Sequence, residues 1–302
     1  MSSADDALTV IGTPVTVGQV LEALDGAWPF ANAESWDQVG LLVGDSRTEV
    51  TGVAIALDPD LKSIAFAQSV GANVLLTHHP TYIQPPERFD VTHAAFSYAA
   101  RVVHAAISAG LNLIACHTNL DRDDAARHIW GRTLELEDTG PLSPIAAGGI
   151  AGRAGRGDTG REPEHAAYGQ TWFTPQPRSL ETIAAELSAV TGTDLRVYGD
   201  TQTLIQKVAT ATGSATERIA EALVAGCELL IAGEFRYHDA LAAVESGLCL
   251  IDMGHDVSER PLLELLHQEV IARTALPVES VHVIDPEPVW TGISTKQSAT
   301  DL

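Results

Sequence analysis

Four histidines follow short apolar runs of the sequence, at positions where buried strands would end. His78 and His79 come directly after VLLT, His117 follows LIAC, and His255 follows LIDMG. The carboxyl ends of parallel strands meet at one edge of a sheet, and open α/β sheets bind their ligands there. The pattern therefore predicts a ligand site built from imidazole groups, which are common metal ligands.

Two of these histidines have a carboxylate four residues later. Asp121 stands at i+4 from His117, and Glu259 at i+4 from His255, so each pair shares a face if the chain turns helical there. Imidazole and carboxylate together suit zinc, iron, manganese or nickel. The candidate ligands are His78, His79, Asp121, His255 and Glu259, with His117 as a sixth ligand or a neighbour.

This set exceeds what one tetrahedral ion takes, which favours two ions sharing a carboxylate, as in dinuclear hydrolytic sites. A single histidine at a strand end is more often a hydrogen-bonded structural group. The recurrence of histidine at three separate strand ends favours the metal site instead.

Short apolar runs alternate with longer amphipathic segments, a pattern that predicts an α/β protein. The predicted strands are 53–57, 72–77, 113–116, 170–173, 195–198, 208–212, 228–232 and 249–253, and the predicted helices are 59–70, 93–109, 179–190, 215–225 and 238–245. Pro59 is expected in the first turn of its helix. The segment 211–215 is predicted mainly as a turn between a strand and a helix.

The two halves of the chain share a weak internal repeat. In each, a helix stops at a glycine (Gly110 or Gly247), and a buried strand leads to a histidine with its i+4 carboxylate. We therefore expect two related α/β lobes with mixed sheets that face a shared metal-binding cleft. The expected divisions are a first lobe at 14–140, a Gly/Pro-rich connector at 141–165, a second lobe at 166–290, and flexible termini at 1–13 and 291–302.

Composition limits the partners. The 302 residues are 45% hydrophobic, which is enough for one large or two ordinary domains. The net charge of −22 repels nucleic-acid backbones and anionic membranes, so direct contact with either is not expected. The sequence shows neither a signal peptide nor an apolar run as long as a membrane span, and the three cysteines are scattered. We expect a cytoplasmic protein with a small-molecule substrate.

Five segments resemble the successive motifs of the Nif-three-like proteins, which are often labelled GTP cyclohydrolase 1 type 2 homologs. They are SWDQVGL at 35–41, THHP at 77–80, HTNLD at 117–121, GEFRYH at 233–238 and GHDVSER at 254–260. Their order and spacing agree with the family from about residue 16 to 285. Two positions depart from it: Gln38 stands where asparagine is usual, and Ala232 where threonine is usual. Neither is a candidate ligand, but both could alter the pocket.

The resemblance implies two divalent cations per subunit, held by His78, His79, Asp121, His255 and Glu259, with His117 beside them. It also implies a ring-shaped homohexamer whose metal sites face an internal cavity. The implied activity is hydrolysis of a C–N bond, either in the purine ring of GTP or another nucleotide or in an amide. Segment 141–200 is too short for the extra domain of longer members, so the chain resembles the compact type.

Hydrolysis also needs groups that move protons, and His117 and Glu234 are the candidates for this catalytic role. Helix capping is the alternative role for Glu234. Trp36 and Asp37 are candidates to line the pocket, with a structural turn and a buried indole as the alternative. The whole site has a second interpretation as a non-catalytic metal-binding scaffold or a metal-handling, regulatory interaction protein, because a structural site can use the same ligands as a catalytic one.

Overall fold

The structure is a computed structural model that describes residues 14–92, 98–144 and 166–290. Several expectations lie outside these residues: the flexible termini at 1–13 and 291–302, positions 145–165 of the connector, and the first residues of the helix expected at 93–109.

Helices and strands alternate through most of the described chain. The helices are α1 (Val17–Ala27), α2 (Leu61–Ser69), α3 (Tyr98–Ser108), α4 (Thr118–Asp121), α5 (Asp124–Arg127), α6 (Ile129–Thr133), α7 (Leu180–Thr191), α8 (Ile219–Val224), α9 (Tyr237–Glu245) and α10 (His255–Arg273). The strands are β1 (Gly40–Val43), β2 (Val53–Ala56), β3 (Val74–Thr77), β4 (Asn112–Ala115), β5 (Glu137–Pro144), β6 (Ala167–Ser179), β7 (Arg196–Tyr198), β8 (Leu204–Thr210), β9 (Leu229–Ala232), β10 (Cys249–Asp252) and β11 (Val281–Val283).

The first sheet has the strand order β1-β4-β3-β2-β11, in which β1 is antiparallel to β4 and the other neighbours are parallel. Successive side chains of a strand point to opposite faces. Val53 and Ile55 of β2 therefore join a core that includes residues of α1 and α10, whereas Ala54 and Ala56 join a core that includes residues of α2 and α3. Helices cover both faces, which explains why these strands read as continuous apolar runs.

The second sheet has the strand order β5-β6-β8-β9-β10-β7, with β8, β9 and β10 parallel and the remaining pairs antiparallel. Leu229 and Ile231 of β9 pack in one core with residues of α7. Leu230 and Ala232 pack on the opposite face with residues of α8 and α9.

The sheets share a topological unit. In the first, the order β1-β4-β3-β2 places the unit's first strand antiparallel to its last, and β7-β10-β9-β8 in the second sheet repeats the same order and directions. The expected fold class of two related α/β lobes with mixed sheets is confirmed. The weak repeat in the sequence corresponds to this unit.

The sheets divide the chain differently from the expected boundaries in two places. Strand β5 pairs with β6 in the second sheet, although its first residues fall in the range 14–140. Its prolines, Pro141 and Pro144, are tolerated because β5 is an edge strand, and they remove the alternating pattern that would have predicted a strand. Strand β11 falls in the range 166–290 but pairs with β2 in the first sheet, since α10 packs against the first core and brings the chain back to it.

One helix start also differs from the expectation. Helix α2 begins at Leu61, and the side chain of Asp60 caps it by accepting a hydrogen bond from the backbone N–H of Ser63. Pro59 therefore lies before the cap and not in the first turn. An aspartate cap satisfies a backbone N–H group that the helix itself cannot pair.

No helix within the three described stretches is both long and apolar enough to cross a membrane.

Candidate metal centre

Side chains from both sheets meet where β3, β4 and β10 end. His78 and His79 follow β3, His117 precedes α4, and His255 is the first residue of α10. The ring centroid of His79 lies 5.1 Å from that of His78, 5.6 Å from that of His117 and 5.3 Å from that of His255. The four histidines that the sequence singled out therefore lie together.

The two i+4 carboxylates join this cluster because the chain turns helical after each histidine. Asp121 ends α4, and its Oδ1 lies 3.7 Å from Nε2 of His78. Glu259 lies one turn into α10, with one oxygen 3.6 Å from Nε2 of His78 and the other 3.0 Å from Nε2 of His79. It is also 3.2 Å from Nε2 of His255.

Three overlapping groups within this cluster have the composition and spacing of a metal site. They are His78 with His79 and His117, His79 with His255 and Glu259, and His78 with Asp121 and Glu259, each with its ligand atoms within 4.8 Å of one another. Metal–ligand bonds of about 2.1 Å at tetrahedral angles place neighbouring donor atoms about 3.4 Å apart. The measured separations of 3.0–3.7 Å lie around that value.

His78 supplies a second sign that the cluster fits a cation. Its Nε2 is buried and has no hydrogen-bond partner among the described residues. A buried polar atom without a partner costs free energy, and native structures rarely leave one. A bound cation would satisfy this nitrogen.

Three of the four histidine rings are oriented by a contact of their Nδ1 atom. Nδ1 of His78 is 2.9 Å from the carbonyl oxygen of Cys116, and Nδ1 of His79 is 2.8 Å from Oδ1 of Asp58. Nδ1 of His117 is 2.9 Å from Oδ1 of Asp37. Hydrogen bonds from the second ring nitrogen to a carboxylate or carbonyl are typical of metal-binding histidines, since they fix the tautomer and the ring direction.

Asp37 is buried in an irregular segment of the chain. Its contact with His117 joins that segment to a residue 80 positions later. Besides the imidazole of His117, it accepts hydrogen bonds from the backbone N–H and hydroxyl of Thr118. Burial acts to raise the pKa of Asp37, but the hydrogen bonds and the charge of His117 outweigh it, and the pKa is lowered. Asp37 is thus an ionised acceptor.

The histidines and Glu259 of the cluster shift one another's pKa values. Burial disfavours the charged form of His79, yet the hydrogen bonds and charges of Asp58 and Glu259 raise its pKa to about 10. The hydrogen bond to Glu259 raises the pKa of His255 to about 9 against the effect of burial. Burial favours the neutral form of Glu259, but the surrounding imidazoles hold its pKa well below the usual range. Without a cation, Glu259 stays ionised, and the protonated rings of His79 and His255 balance its charge.

The other predicted site residues have defined places. Glu234 follows β9, and its Oε1 lies 3.4 Å from Nδ1 of His255. The hydroxyl of Thr212, in the segment predicted as a turn, donates a hydrogen bond to Oδ1 of Asp121. Gly213 has a φ of +58°, and an added Cβ there would lie 2.3 Å from Oε1 of Glu259. The turn therefore holds Asp121 by a hydrogen bond and lies so close to Glu259 that only glycine fits at 213.

Sequence reasoning missed Asp58, which orients His79. A signal was available, because Asp58 follows β2 just as His79 follows the neighbouring strand β3, and β2 and β3 are parallel. A polar residue at one strand end lies near those at the next.

A cavity of about 590 Å³ opens against the cluster. Asp121, His255 and Glu259 line it together with Trp36, Tyr168 and Arg218. Pockets of about 300–1,000 Å³ hold most small-molecule ligands. The candidate ligands thus border a space that is large enough for a substrate.

Known proteins resemble this chain over most of its length. A protein from Streptomyces coelicolor named GTP cyclohydrolase 1 type 2 homolog is 33% identical over 254 residues, which are 82% of this chain and 83% of that protein. One of the same name from Clostridium perfringens is 29% identical over 88% of this chain and 95% of its own length. The fold matches the crystal structure of a Bacillus cereus protein related to NIF3 with a TM-score of 0.79, at 18% identity over 93% of this chain and all of that one.

The family model described as Duf34/NIF3 (NGG1p interacting factor 3) matches residues 15–288. This range covers both sheets and all five motifs. The resemblance seen in the sequence is thereby confirmed: the chain belongs to the Duf34/NIF3 family.

Proposed function

We propose that the protein is a metal-dependent hydrolase that holds two divalent cations and acts on a C–N bond of a small molecule. The observation that carries the proposal is the cluster of three overlapping ligand groups beside a cavity of about 590 Å³. Relatives named GTP cyclohydrolase 1 type 2 homolog support the same class of reaction.

The residues fit two cations better than one. His78, His79 and Glu259 each belong to two of the three groups, and Glu259, which has two carboxylate oxygens, is the member that could serve two neighbouring ions. The complete ligand set in this proposal is His78, His79, Asp121, His255 and Glu259. Mixed imidazole and carboxylate donors suit zinc, iron, manganese or nickel.

Divalent cations supply Lewis acidity, which lowers the pKa of water and polarises a carbonyl or amidine carbon. The protein's part is to orient its own ligands. Asp58 and the carbonyl oxygen of Cys116 aim the Nε2 atoms of His79 and His78 at the cluster. Because these acceptors hold the rings from behind, little reorganisation is needed when substrate arrives.

In this proposal, His117 moves a proton. Ionised Asp37 can only accept, so Nδ1 of His117 carries the proton that they share. In the neutral ring, Nε2 is then left with a lone pair that can take a proton from the reacting group. Glu234 lines the same cavity and is the second candidate for proton transfer.

The test is metal analysis coupled to product detection. Wild type and His255→Ala are compared by elemental analysis and by turnover of GTP and of a panel of simple amides and esters. His267→Ala is the matched control, because it also removes a histidine from α10. We expect His255→Ala to lose both bound metal and turnover, and His267→Ala to keep both.

Two outcomes would contradict the proposal. Full hydrolytic activity after complete removal of metal would exclude a metal-dependent reaction. Bound metal without turnover on any substrate would favour the metal-binding scaffold instead.

A homohexamer with metal sites facing an internal cavity stays a prediction from the family resemblance. Sedimentation equilibrium of the full chain tests it, and a mass of one or two subunits would contradict it.

A further inference from the structure

Trp36 is exposed beside the cluster, and unlike the similarly exposed Trp290 it lines the cavity. The indole is 51% exposed and lines the cavity, whereas Trp28, Trp130 and Trp172 are at most 5% exposed. What sets Trp36 apart is its place, because an aromatic face that is open to a cavity is available to a ligand that enters it.

The backbone around Trp36 is held by polar contacts. Two residues before Trp36, Glu34 donates its backbone N–H to the hydroxyl of Thr118, at 2.8 Å. The following residue, Asp37, is anchored on His117 and Thr118 and donates its own N–H to the carbonyl oxygen of Glu34. Hydrogen bonds of the residues on either side in the sequence therefore fix the backbone at Trp36, while the indole itself stays exposed.

The indole also stands close to the group that we propose for proton transfer. Its ring centroid is 6.1 Å from that of His117, and the two rings meet edge to face at 76°. A planar ring laid against the indole would lie beside His117 and next to the cluster. Stacking on an aromatic side chain requires only a flat π-system in the ligand.

The arginine side chains that line the cavity already form ion pairs with carboxylates of the protein. Among the described residues that line it, Arg218 pairs with Glu221 at 2.8 Å and Arg236 with Asp239 at 2.9 Å. Arg127 forms an ion pair with Asp124. A phosphate chain would have to displace these carboxylates from the guanidinium groups, whereas the indole of Trp36 is open to a ring without displacing a partner.

We infer that Trp36 is the stacking surface for a planar heteroaromatic ring, and that this ring is the part of the substrate that the protein's side chains recognise. The inference rests on the proposed function, for which it names the substrate class. It assigns Trp36 a role in specificity that needs no charge on the ligand.

Binding of guanosine and of inorganic tripolyphosphate to the metal-loaded full chain tests the inference by isothermal titration calorimetry. Guanosine supplies a planar ring without phosphate, and tripolyphosphate supplies the reverse. The variants are Trp36→Ala and Trp36→Phe. Trp290→Ala is the matched control, because Trp290 is 55% exposed and does not line the cavity.

We expect guanosine to bind, and Trp36→Ala to weaken it by roughly tenfold through lost stacking. Trp36→Phe keeps an aromatic face and should stay within about threefold of wild type. Trp290→Ala should not change the affinity for guanosine, and Trp36→Ala should not change the affinity for tripolyphosphate.

The inference is overturned if guanosine fails to bind or if Trp36→Ala leaves its affinity unchanged. An equal loss of tripolyphosphate affinity in Trp36→Ala would also overturn it, since that would show damage to the whole site. Metal content is measured for every variant. A wild type without metal contradicts the proposed function, whereas guanosine binding to that metal-free chain still decides the role of Trp36.

Discussion

The Nε2 atoms of His79 and His255 lie 3.3 Å apart, although His79 follows a strand of the first sheet and His255 follows the last parallel strand of the second. Both nitrogens also face Glu259, at 3.0 and 3.2 Å. In the metal-free protein at neutral pH both nitrogens carry protons, and they repel each other. A cation bound by the nitrogen lone pairs and the carboxylate would remove that repulsion. The short distance between the two Nε2 atoms is therefore the basis for the predictions about metal.

Glu259→Gln should abolish metal binding and destabilise the protein. Glu259 is buried and contacts three imidazoles, so the neutral amide leaves them without their shared carboxylate. Breaking a buried charge network in this way costs about 3 kcal/mol of unfolding free energy. Elemental analysis and denaturant unfolding measure the two effects. Glu264→Gln, an exposed position of the same helix, is the control and should change neither.

Asp58→Asn should weaken metal binding without changing the fold. Asp58 contacts Nδ1 of His79 from outside the cluster, and loss of such a supporting carboxylate typically lowers metal affinity by about 10–100-fold. Competition with a chromophoric chelator measures the affinity. Glu87→Gln removes an exposed carboxylate elsewhere and should leave the affinity at the wild-type value. Equal affinities for Asp58→Asn and wild type would show that Asp58 does not support the site.

Gly213→Ala and Gly226→Ala separate backbone strain from crowding of the cluster. Both glycines have positive φ, +58° and +71°, so alanine costs about 1 kcal/mol at either position. Only at Gly213 would the new Cβ meet Glu259, because nothing lies within 4 Å of it at Gly226. We expect both variants to lose stability and only Gly213→Ala to lose metal. Metal loss in both would indicate a general effect of strain.

Metal binding should release protons and weaken as the pH falls. The pKa of His79 is about 10 and that of His255 about 9 in the metal-free protein, so both rings are charged at pH 7.5, and a metal ligand must be neutral. Calorimetric titration with zinc in buffers of different ionisation enthalpy counts the released protons. Binding without proton release would contradict the assignment of these two ligands.

The same pKa values predict how the stability of the metal-free protein depends on pH. Both histidines have a pKa above the ordinary histidine value of 6.5, so their contribution to the unfolding free energy is complete below about pH 6.5. It is lost as the pH rises through 9 to 10. Urea unfolding at pH 6 and pH 10 measures this loss, and equal stabilities would contradict it.

The cysteines should not react in the folded protein. Burial raises the pKa of Cys116 to about 12 and that of Cys227 to about 11, and it also raises the pKa of Cys249. The thiolate is the reactive form, so iodoacetamide at pH 8 should label these residues only after unfolding. Mass spectrometry after timed labelling checks this. Rapid labelling of any of the three cysteines in the native state would contradict the expectation.

The central strands β2, β3, β4, β9 and β10 could be predicted from the sequence because every residue of each is buried, so each forms a short apolar run. The antiparallel strand β1 and the edge strands β5 and β11 could not, since their residues are partly exposed or include proline. Their places in the sheets depend on partners far along the chain, as in the pairing of Val281 with Val53.

The sequence by itself determined the fold class, the family and the set of candidate ligands. Those depend on local features: an apolar strand, a histidine at its end, and a carboxylate one helical turn later. Tertiary structure decided which nitrogen of each ring faces the cluster and which acceptors orient the rings, because Asp37 and His117 are separated by 80 residues and Asp58 and His79 by 21. It also decided that Trp36 stays exposed beside the cavity, since burial is a property of the packed chain and not of the residue.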